Sequence, residues 1–287
     1  MQVIFPFDPW KSKLCTCPPK YSFSPYTGCG HGCVYCYASS YIPRFFSPRP
    51  KKDLTKRLLS DLKKLDKSIP ISMSNSSDPY QPLEKKMKLT RSCLKLFSQA
   101  DVKLQIVTKS SLVVRDLDIL KKMRVSISMT VTSLKNNLLK KLEPNAPGPK
   151  ERLKAIKILT DNKIPVSVRI DPIIIGLNDD EIEDLVHALS ILGVKHVVSS
   201  TYKVRPDNWK RLSSVFPELK NKLYPLYFEE GERISNYFYL KRSLRLEIME
   251  RVRDACDSEG MTFATCREGF PFLQTGQTCD GTHLIPE

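Results

Sequence analysis

From residue 51 onward the chain alternates two hydrophobic rhythms. Runs in which Leu and Ile recur every three or four positions among lysines precede short apolar segments of strand length. KKDLTKRLLSDLKKL (51–65) precedes IPISMS (69–74), LTRSCLKLFSQA (89–100) precedes KLQIVT (103–108), and VVRDLDILKKM (113–123) precedes RVSISMTVT (124–132). The order returns with PKERLKAIKILTDN (149–162) before IPVSVRI (164–170), and with NDDEIEDLVHALSILG (178–193) before VKHVVSS (194–200). With KYSFSP (20–25) as a first strand, six strands joined by helical crossovers predict a parallel sheet wound in one hand. Eight repeats, which a closed barrel needs, are not found. The pattern therefore predicts an α/β fold, a partial (β/α)6 TIM-like barrel over residues 20–215, with an open doubly wound sheet as the alternative.

Residues 1–19 form an N-terminal segment ahead of this core, and after residue 215 the rhythm breaks. The extension 216–287 holds a Pro- and Tyr-bearing stretch, a long helical run (240–260), a strand-like MTFAT (261–265) and an end rich in Cys and Gly. It is expected to cover the barrel mouth. In folds of this kind the strand C-termini and the loops after them carry the chemistry. Polar groups gather there: Cys29, Cys33 and Cys36 after the first strand, SNSSDPYQP (74–82) after the second, TKSS (108–111) after the third. MTVTS (129–133), RIDP (169–172) and SSTYK (199–203) follow the last three.

Composition changes the picture in two ways. No signal peptide opens the chain and no stretch approaches the apolar length of a membrane span, so a soluble, cytoplasmic protein without membrane partners is expected. Under reducing conditions nine cysteines read as metal ligands, catalytic groups or core fillers rather than disulfides. The formal charge of +15 draws polyanions and favours encounters with nucleic acid. A lysine-rich surface of the kind found in heat-adapted proteins accounts for it equally.

The stretch YTGCGHGCVYCYA (26–38) spaces three thiols four and three residues apart on a Gly-rich loop. Such a loop wraps one face of a small inorganic centre and leaves a metal position open. The alternative is a structural zinc site completed by His31 or a distant cysteine, although no second CxxC exists to supply the usual ligand pairs.

With an aromatic residue, Tyr35, before the last cysteine, this motif resembles the signature of the radical S-adenosylmethionine (SAM) enzymes. Together SPYTGCGHGCVYCYA, SNSSDPYQPLE, VTKS and RIDP resemble their spore-photoproduct-lyase-like branch, over roughly residues 20–205. TCREGFPFLQTG and CDGTHLI (279–285) resemble the tail of its archaeal members. The resemblance implies a 4Fe-4S cluster whose three irons are held by Cys29, Cys33 and Cys36 and whose fourth is chelated by SAM. It further implies one-electron cleavage of SAM, by an electron donor such as ferredoxin or flavodoxin, to a 5′-deoxyadenosyl radical. Tyr35, Ser77, Lys109 and Ser128 match SAM-contacting positions, and Arg169 is a second candidate for the methionyl carboxylate. Tyr37 matches a tyrosine near the lyases' radical relay, or packs on the first helix. Asn75 stands where the lyases carry a hydrogen-donating cysteine, so thymine-dimer reversal is not carried over.

Cys93 and Cys256 lie in helical runs and read as small buried hydrophobes. Cys15, Cys17, Cys266 and Cys279 can hold a second iron–sulfur cluster or a zinc if the chain ends meet, or be unrelated. The histidines, His31, His187, His196 and His283, form no constellation. For substrate, the basic charge and the aromatics of YASSYIPRFFSPRP and YPLYF favour nucleic acid. A protein or small metabolite is the enzymatic alternative, and a zinc-stabilised nucleic-acid-binding module the non-enzymatic one.

Overall fold

The computed structural model describes residues 2–7, 12 and 14–287. Met1, residues 8–11 and Lys13, all in the N-terminal segment, lie outside the described residues. One sheet of eight strands dominates, β1 (Ile4–Pro6), β2 (Tyr21–Phe23), β3 (Ile71–Met73), β4 (Leu104–Thr108), β5 (Val125–Thr130), β6 (Val166–Ile173), β7 (His196–Thr201) and β8 (Thr262–Thr265), in that spatial order. β2 to β8 run parallel, and β1 is antiparallel to β2. The end strands β1 and β8 do not pair, so the barrel is open. All six expected strands are present, and β1 and β8 extend the sheet at its two edges.

Strands β3, β4 and β5 alternate. Ile71 and Met73, Leu104 and Ile106, and Val125, Ile127 and Met129 face the helices and are at most 2% exposed. Their neighbours Ser72, Gln105, Ser126 and Ser128 face the other way, and with Ser167 and His196 they form a buried polar lumen. One cavity is bounded both by Ser22 of β2 and by Arg169 of β6, which requires the sheet to curl.

The crossovers are helices α1 (Leu54–Leu62), α2 (Leu89–Ala100), α3 (Pro149–Asp161), α4 (Ile182–Ile191) and α5 (Pro206–Val215), with α6 (Arg242–Ser258) preceding β8. On α2, Thr90, Cys93, Leu94 and Phe97 form the buried stripe, and Phe97 meets Phe23 of β2 edge to face at 5.1 Å. Burying Leu94 or Phe97 in full contributes about 1.5–3 kcal/mol each. Cys93 and Cys256 are both in this core.

The run 113–123 is not the single helix its pattern suggests. A 3-10 turn (Ser111–Asp116) leads into one turn of α-helix (Leu117–Leu120). The segment is shaped around the buried Asp116, whose carboxylate receives Arg91 at 2.8 Å and Arg115 at 2.8–2.9 Å.

The C-terminal extension serves both ends of the barrel. At the mouth its hairpin of Glu232–Ile234 and Tyr237–Tyr239 brings Tyr237 against Tyr37, with ring centroids 5.7 Å apart. Residues 276–284 instead pack under the strand starts: a Cβ on Gly281 would lie 2.9 Å from Ser167, and one on Gly276 2.8 Å from the His196 ring.

Candidate functional site

The cysteine loop starts from a two-residue pairing of Tyr26–Thr27 with Arg49–Pro50, which closes residues 28–48 into a compact excursion. Gly28 makes the first bend at φ +80°, and any Cβ there would collide with the Phe45 carbonyl oxygen. That oxygen also accepts the Cys29 amide at 2.8 Å.

Three other parts of the fold hold the loop by its backbone. From the loop after β3, Ser77 Oγ donates to the Gly28 carbonyl at 2.6 Å, while Gln81 donates to the same oxygen and accepts the Gly30 amide at 2.7 Å. From α5, Arg211 donates to the carbonyls of Val34 (3.2 Å) and Cys36 (2.7 Å), and Asn208 to that of Tyr35 (3.0 Å). From the end of the helix Asn136–Leu142, the Leu142 carbonyl accepts the Val34 amide at 2.9 Å. Asn208 and Arg211 carried no signal in the sequence, and Gln81 none beyond its place in SNSSDPYQPLE, because they act on main-chain atoms far away along the chain.

So braced, Cys29, Cys33 and Cys36 line one wall of a cavity of about 950 Å³, counted with the space open at its mouth. Burial pushes the Cys33 thiol up to about 12, and burial likewise raises Cys29 and Cys36. Metal ligation would displace these protons. Tyr35, Ser77 and Lys109 share the cavity wall.

Lys109 Nζ bonds Tyr35 Oη at 2.8 Å and Glu143 Oε1 at 3.3 Å. Glu143 also accepts from Tyr35 Oη, from Arg152 and from Thr132 at 2.8 Å. Burial opposes the charge on Lys109, but Cys33, Glu143 and Tyr35 outweigh it and hold the ammonium protonated. Burial likewise opposes the charge on Glu143, and Arg152 and Lys109 keep its carboxyl well below the usual range. Asp78 braces the strand end, accepting from Thr108 Oγ1 (2.7 Å), the Lys109 amide (2.9 Å) and the Tyr80 amide (2.8 Å).

The remaining expected residues sit elsewhere. Ser128 does not line this cavity; it lies deeper in the lumen, where its hydroxyl bonds to no protein group. Arg169 opens on an adjoining cavity of about 1290 Å³ and pairs with Asp171 at 2.7 Å. Asp171 borders both cavities. Burial opposes its charge, and Arg169 and then Lys203 bring it down to about 2. Asn75 lies between the two cavities, bonded to Ser72 and Ser22.

His31 is buried and lowered in pKa by that burial, with Nδ1 3.5 Å from Asp78. Among the described residues no three His, Cys, Asp or Glu side chains form a ready single-ion site. Three thiols on one wall of a cavity, with no fourth cysteine in its lining, suit a cluster that keeps one corner for an exogenous ligand.

The Radical SAM superfamily model matches residues 23–189. An uncharacterised protein of Methanocaldococcus jannaschii is 35% identical over 227 residues, covering 78% of this chain and 82% of that one. Among solved structures, a spore photoproduct lyase mutant with bound AdoMet and dinucleoside spore photoproduct aligns with a TM-score of 0.66 at 16% identity, over 85% of this chain and 75% of that chain. Streptococcus suis SuiB bound to S-adenosylmethionine aligns with a TM-score of 0.56 at 15% identity, over 89% of this chain and 53% of that chain.

The chain belongs to the Radical SAM superfamily. It is a radical SAM enzyme, and the family uses a 4Fe-4S cluster and S-adenosylmethionine. That replaces the reading as a zinc-stabilised binding module. Among the described residues no helix is long and apolar enough to cross a membrane.

Proposed function

We propose that the enzyme binds a 4Fe-4S cluster through Cys29, Cys33 and Cys36 and acts by SAM-derived radical chemistry on a nucleic-acid substrate. The observation that carries this reading is the shared cavity, in which the three thiols face Lys109 and Tyr35. When bound, cluster and SAM supply a 5′-deoxyadenosyl radical that abstracts a hydrogen atom from the substrate. Lys109 is a compact charge suited to the methionyl carboxylate, and Glu143 and Tyr35 orient it from behind. Tyr35 presents its ring for the adenine. Ser77, whose proton is committed to Gly28, can only accept from the cofactor. Ser128 stands too deep to be a first contact, and Arg169 serves the adjoining cavity instead.

Nucleic acid is favoured by a groove of about 830 Å³ beside the mouth, lined by Tyr41, Arg205, Tyr237, Tyr239 and Arg267. The Arg205 guanidinium lies 5.1 Å from the Tyr237 ring centre, and that of Arg267 4.9 Å from Tyr37. Arginines stacked on tyrosines offer phosphate pairing and base stacking together. The groove meets the larger cavity at Tyr41 and Arg267, so a base bound outside could be turned inward. An electron donor such as ferredoxin or flavodoxin completes the turnover.

Anaerobically reconstituted protein given dithionite and SAM should release 5′-deoxyadenosine, and Cys29→Ala should abolish the release. DNA, RNA and protein fractions from cells grown in D2O are then supplied in turn with unlabelled SAM, and the released 5′-deoxyadenosine is checked for deuterium. Deuterium taken up from labelled nucleic acid supports the proposal, and uptake from labelled protein alone overturns its substrate class.

A further inference from the structure

Four of the nine cysteines lie outside both the triplet loop and the helical core: Cys15 and Cys17 near one end of the chain, Cys266 and Cys279 near the other. The fold brings them together. Cys17 Sγ is 3.4 Å from Cys279 Sγ, and the Cys15 thiol lies within hydrogen-bonding reach of Cys17. Cys266 lines the same cavity as Cys15 and Cys17. All four are free thiols. Their meeting is built from both sides. Lys20 Nζ is tied to the Asp280 carboxylate, Gln105 Nε2 donates to the Asp280 carbonyl at 2.6 Å, and Asp280 Oδ1 caps Thr282 at 3.1 Å. On the other wall, Cys266 directly follows β8, and its amide donates to the Ser199 carbonyl of β7 at 2.8 Å.

The structure assigns a second metal centre to Cys15, Cys17, Cys266 and Cys279, one that takes a thiolate-bound soft metal, either an iron–sulfur cluster or a zinc ion. Four thiolates are a recognised ligand set for both. Cations stand ready for the negative charge of such a centre: Lys20 and Arg267 line the same cavity, and Arg169 reaches Cys266. The acids Asp171 and Asp280 are there too, each paired with one of those cations.

Among the described residues the four thiols are not converged on one ion's position, and Cys17 and Cys279 are the pair in direct contact. A tetrahedral zinc with bonds near 2.3 Å sets sulfurs about 3.8 Å apart, so the Cys17–Cys279 pair need open by only a few tenths of an ångström. A cluster needs wider spacing, and the cavity of about 1290 Å³ onto which Cys15, Cys17 and Cys266 open leaves room for it. That cavity shares Tyr37, Asn75 and Asp171 with the one beside the triplet. A centre here would face the same interior space as the first cluster, from the opposite side.

The test isolates this site from the triplet, so it does not depend on the catalytic reading. A variant with Cys29, Cys33 and Cys36 all replaced by Ala is purified anaerobically, in parallel from iron-rich and zinc-supplemented cultures. Iron, sulfide and zinc are counted per chain before and after adding Cys17→Ala and Cys279→Ala. The triple variant should hold one centre, seen either as ~4 iron with matching sulfide and a brown colour or as ~1 zinc without colour, and the five-fold variant should hold none. Equal metal content in the two variants overturns the assignment.

Should either variant not fold, thiol alkylation of the wild-type protein, read by mass spectrometry, decides. Cys15 and Cys17 should be protected as purified and become reactive at least tenfold faster after chelation. Reactivity unchanged by chelation overturns the site.

Discussion

Glu143→Gln tests the electrostatic bracing of the site most directly. Glu143 is 1% exposed and accepts from four donors, two of them cations: Arg152, whose side chain is fully buried, and Lys109. The amide keeps the shape and one acceptor oxygen but removes the charge, leaving the Arg152 guanidinium inside without its counterion. Breaking a buried pair from one side costs roughly 3–5 kcal/mol, because the surviving charge stays desolvated. For 287 residues the unfolding entropy is about 0.6 kcal/mol/K, so the melting midpoint should fall by about 5–8 °C. Calorimetry of both proteins at pH 7 measures this. Because the folded carboxyl is depressed by Arg152 and Lys109 against the cost of burial, its stabilisation is present above the unfolded value near pH ~4.3 and drains away below it. The gap between wild type and variant should therefore narrow as pH falls from about 5 toward 3. Replacing both partners, as Glu143→Leu with Arg152→Met, should recover part of the loss. A wild-type advantage below ~1 kcal/mol at pH 7, or one that does not change with acid, would refute the reasoning.

Three further substitutions probe other parts of the architecture. Gly28→Ala places a Cβ against the Phe45 carbonyl at a left-handed φ, so the midpoint should drop by the equivalent of more than ~1 kcal/mol, and less iron should be retained after reconstitution. Arg211→Ala removes the donors to the Val34 and Cys36 carbonyls; it should cost about 1–3 kcal/mol in denaturant titration and speed iron loss to a chelator. Lys157→Ala breaks the exposed i,i+4 pair with Asp161 on α3 and should change stability by no more than ~0.5 kcal/mol in the same titration.

Different parts of this molecule were legible to different depths, and the reason is the range of the interactions involved. Strands β2 to β7 show in the sequence because each is a local alternation with a helix after it, and Leu104, Ile106 and Val107 suffice to mark β4. β1 is three residues whose strand character exists only through pairing with Tyr21–Phe23, so no local pattern announces it. MTFAT reads as a strand, but its place beside β7 is fixed by α6 folding back over α4, a contact between distant segments. The cysteine spacing is equally local and carries the cofactor class with it. Glu143 is the opposite case. It opens the Pro-rich stretch EPNAPGPK, which reads as a solvated loop, and only Arg152, nine residues on and anchored to the Thr130 carbonyl at 3.0 Å, turns it into a buried counterion for Lys109.

Ser77 and Lys109 were visible as positions at strand ends, but what they touch was not. Ser77 spends its proton on the Gly28 carbonyl, so part of what looks like a cofactor contact is a clamp on the loop that carries Cys29. The same division runs through the site. Side chains that would meet cofactor come from the strand ends, whereas those that fix the loop, Gln81, Asn208 and Arg211, come from the segments after them and act on carbonyls and amides. A main-chain clamp of this kind constrains the thiols without presenting any chemistry of its own. It follows that altering Arg211 should disturb cluster retention before it disturbs SAM contacts, while altering Lys109 should do the reverse, and iron content measured beside SAM affinity separates the two.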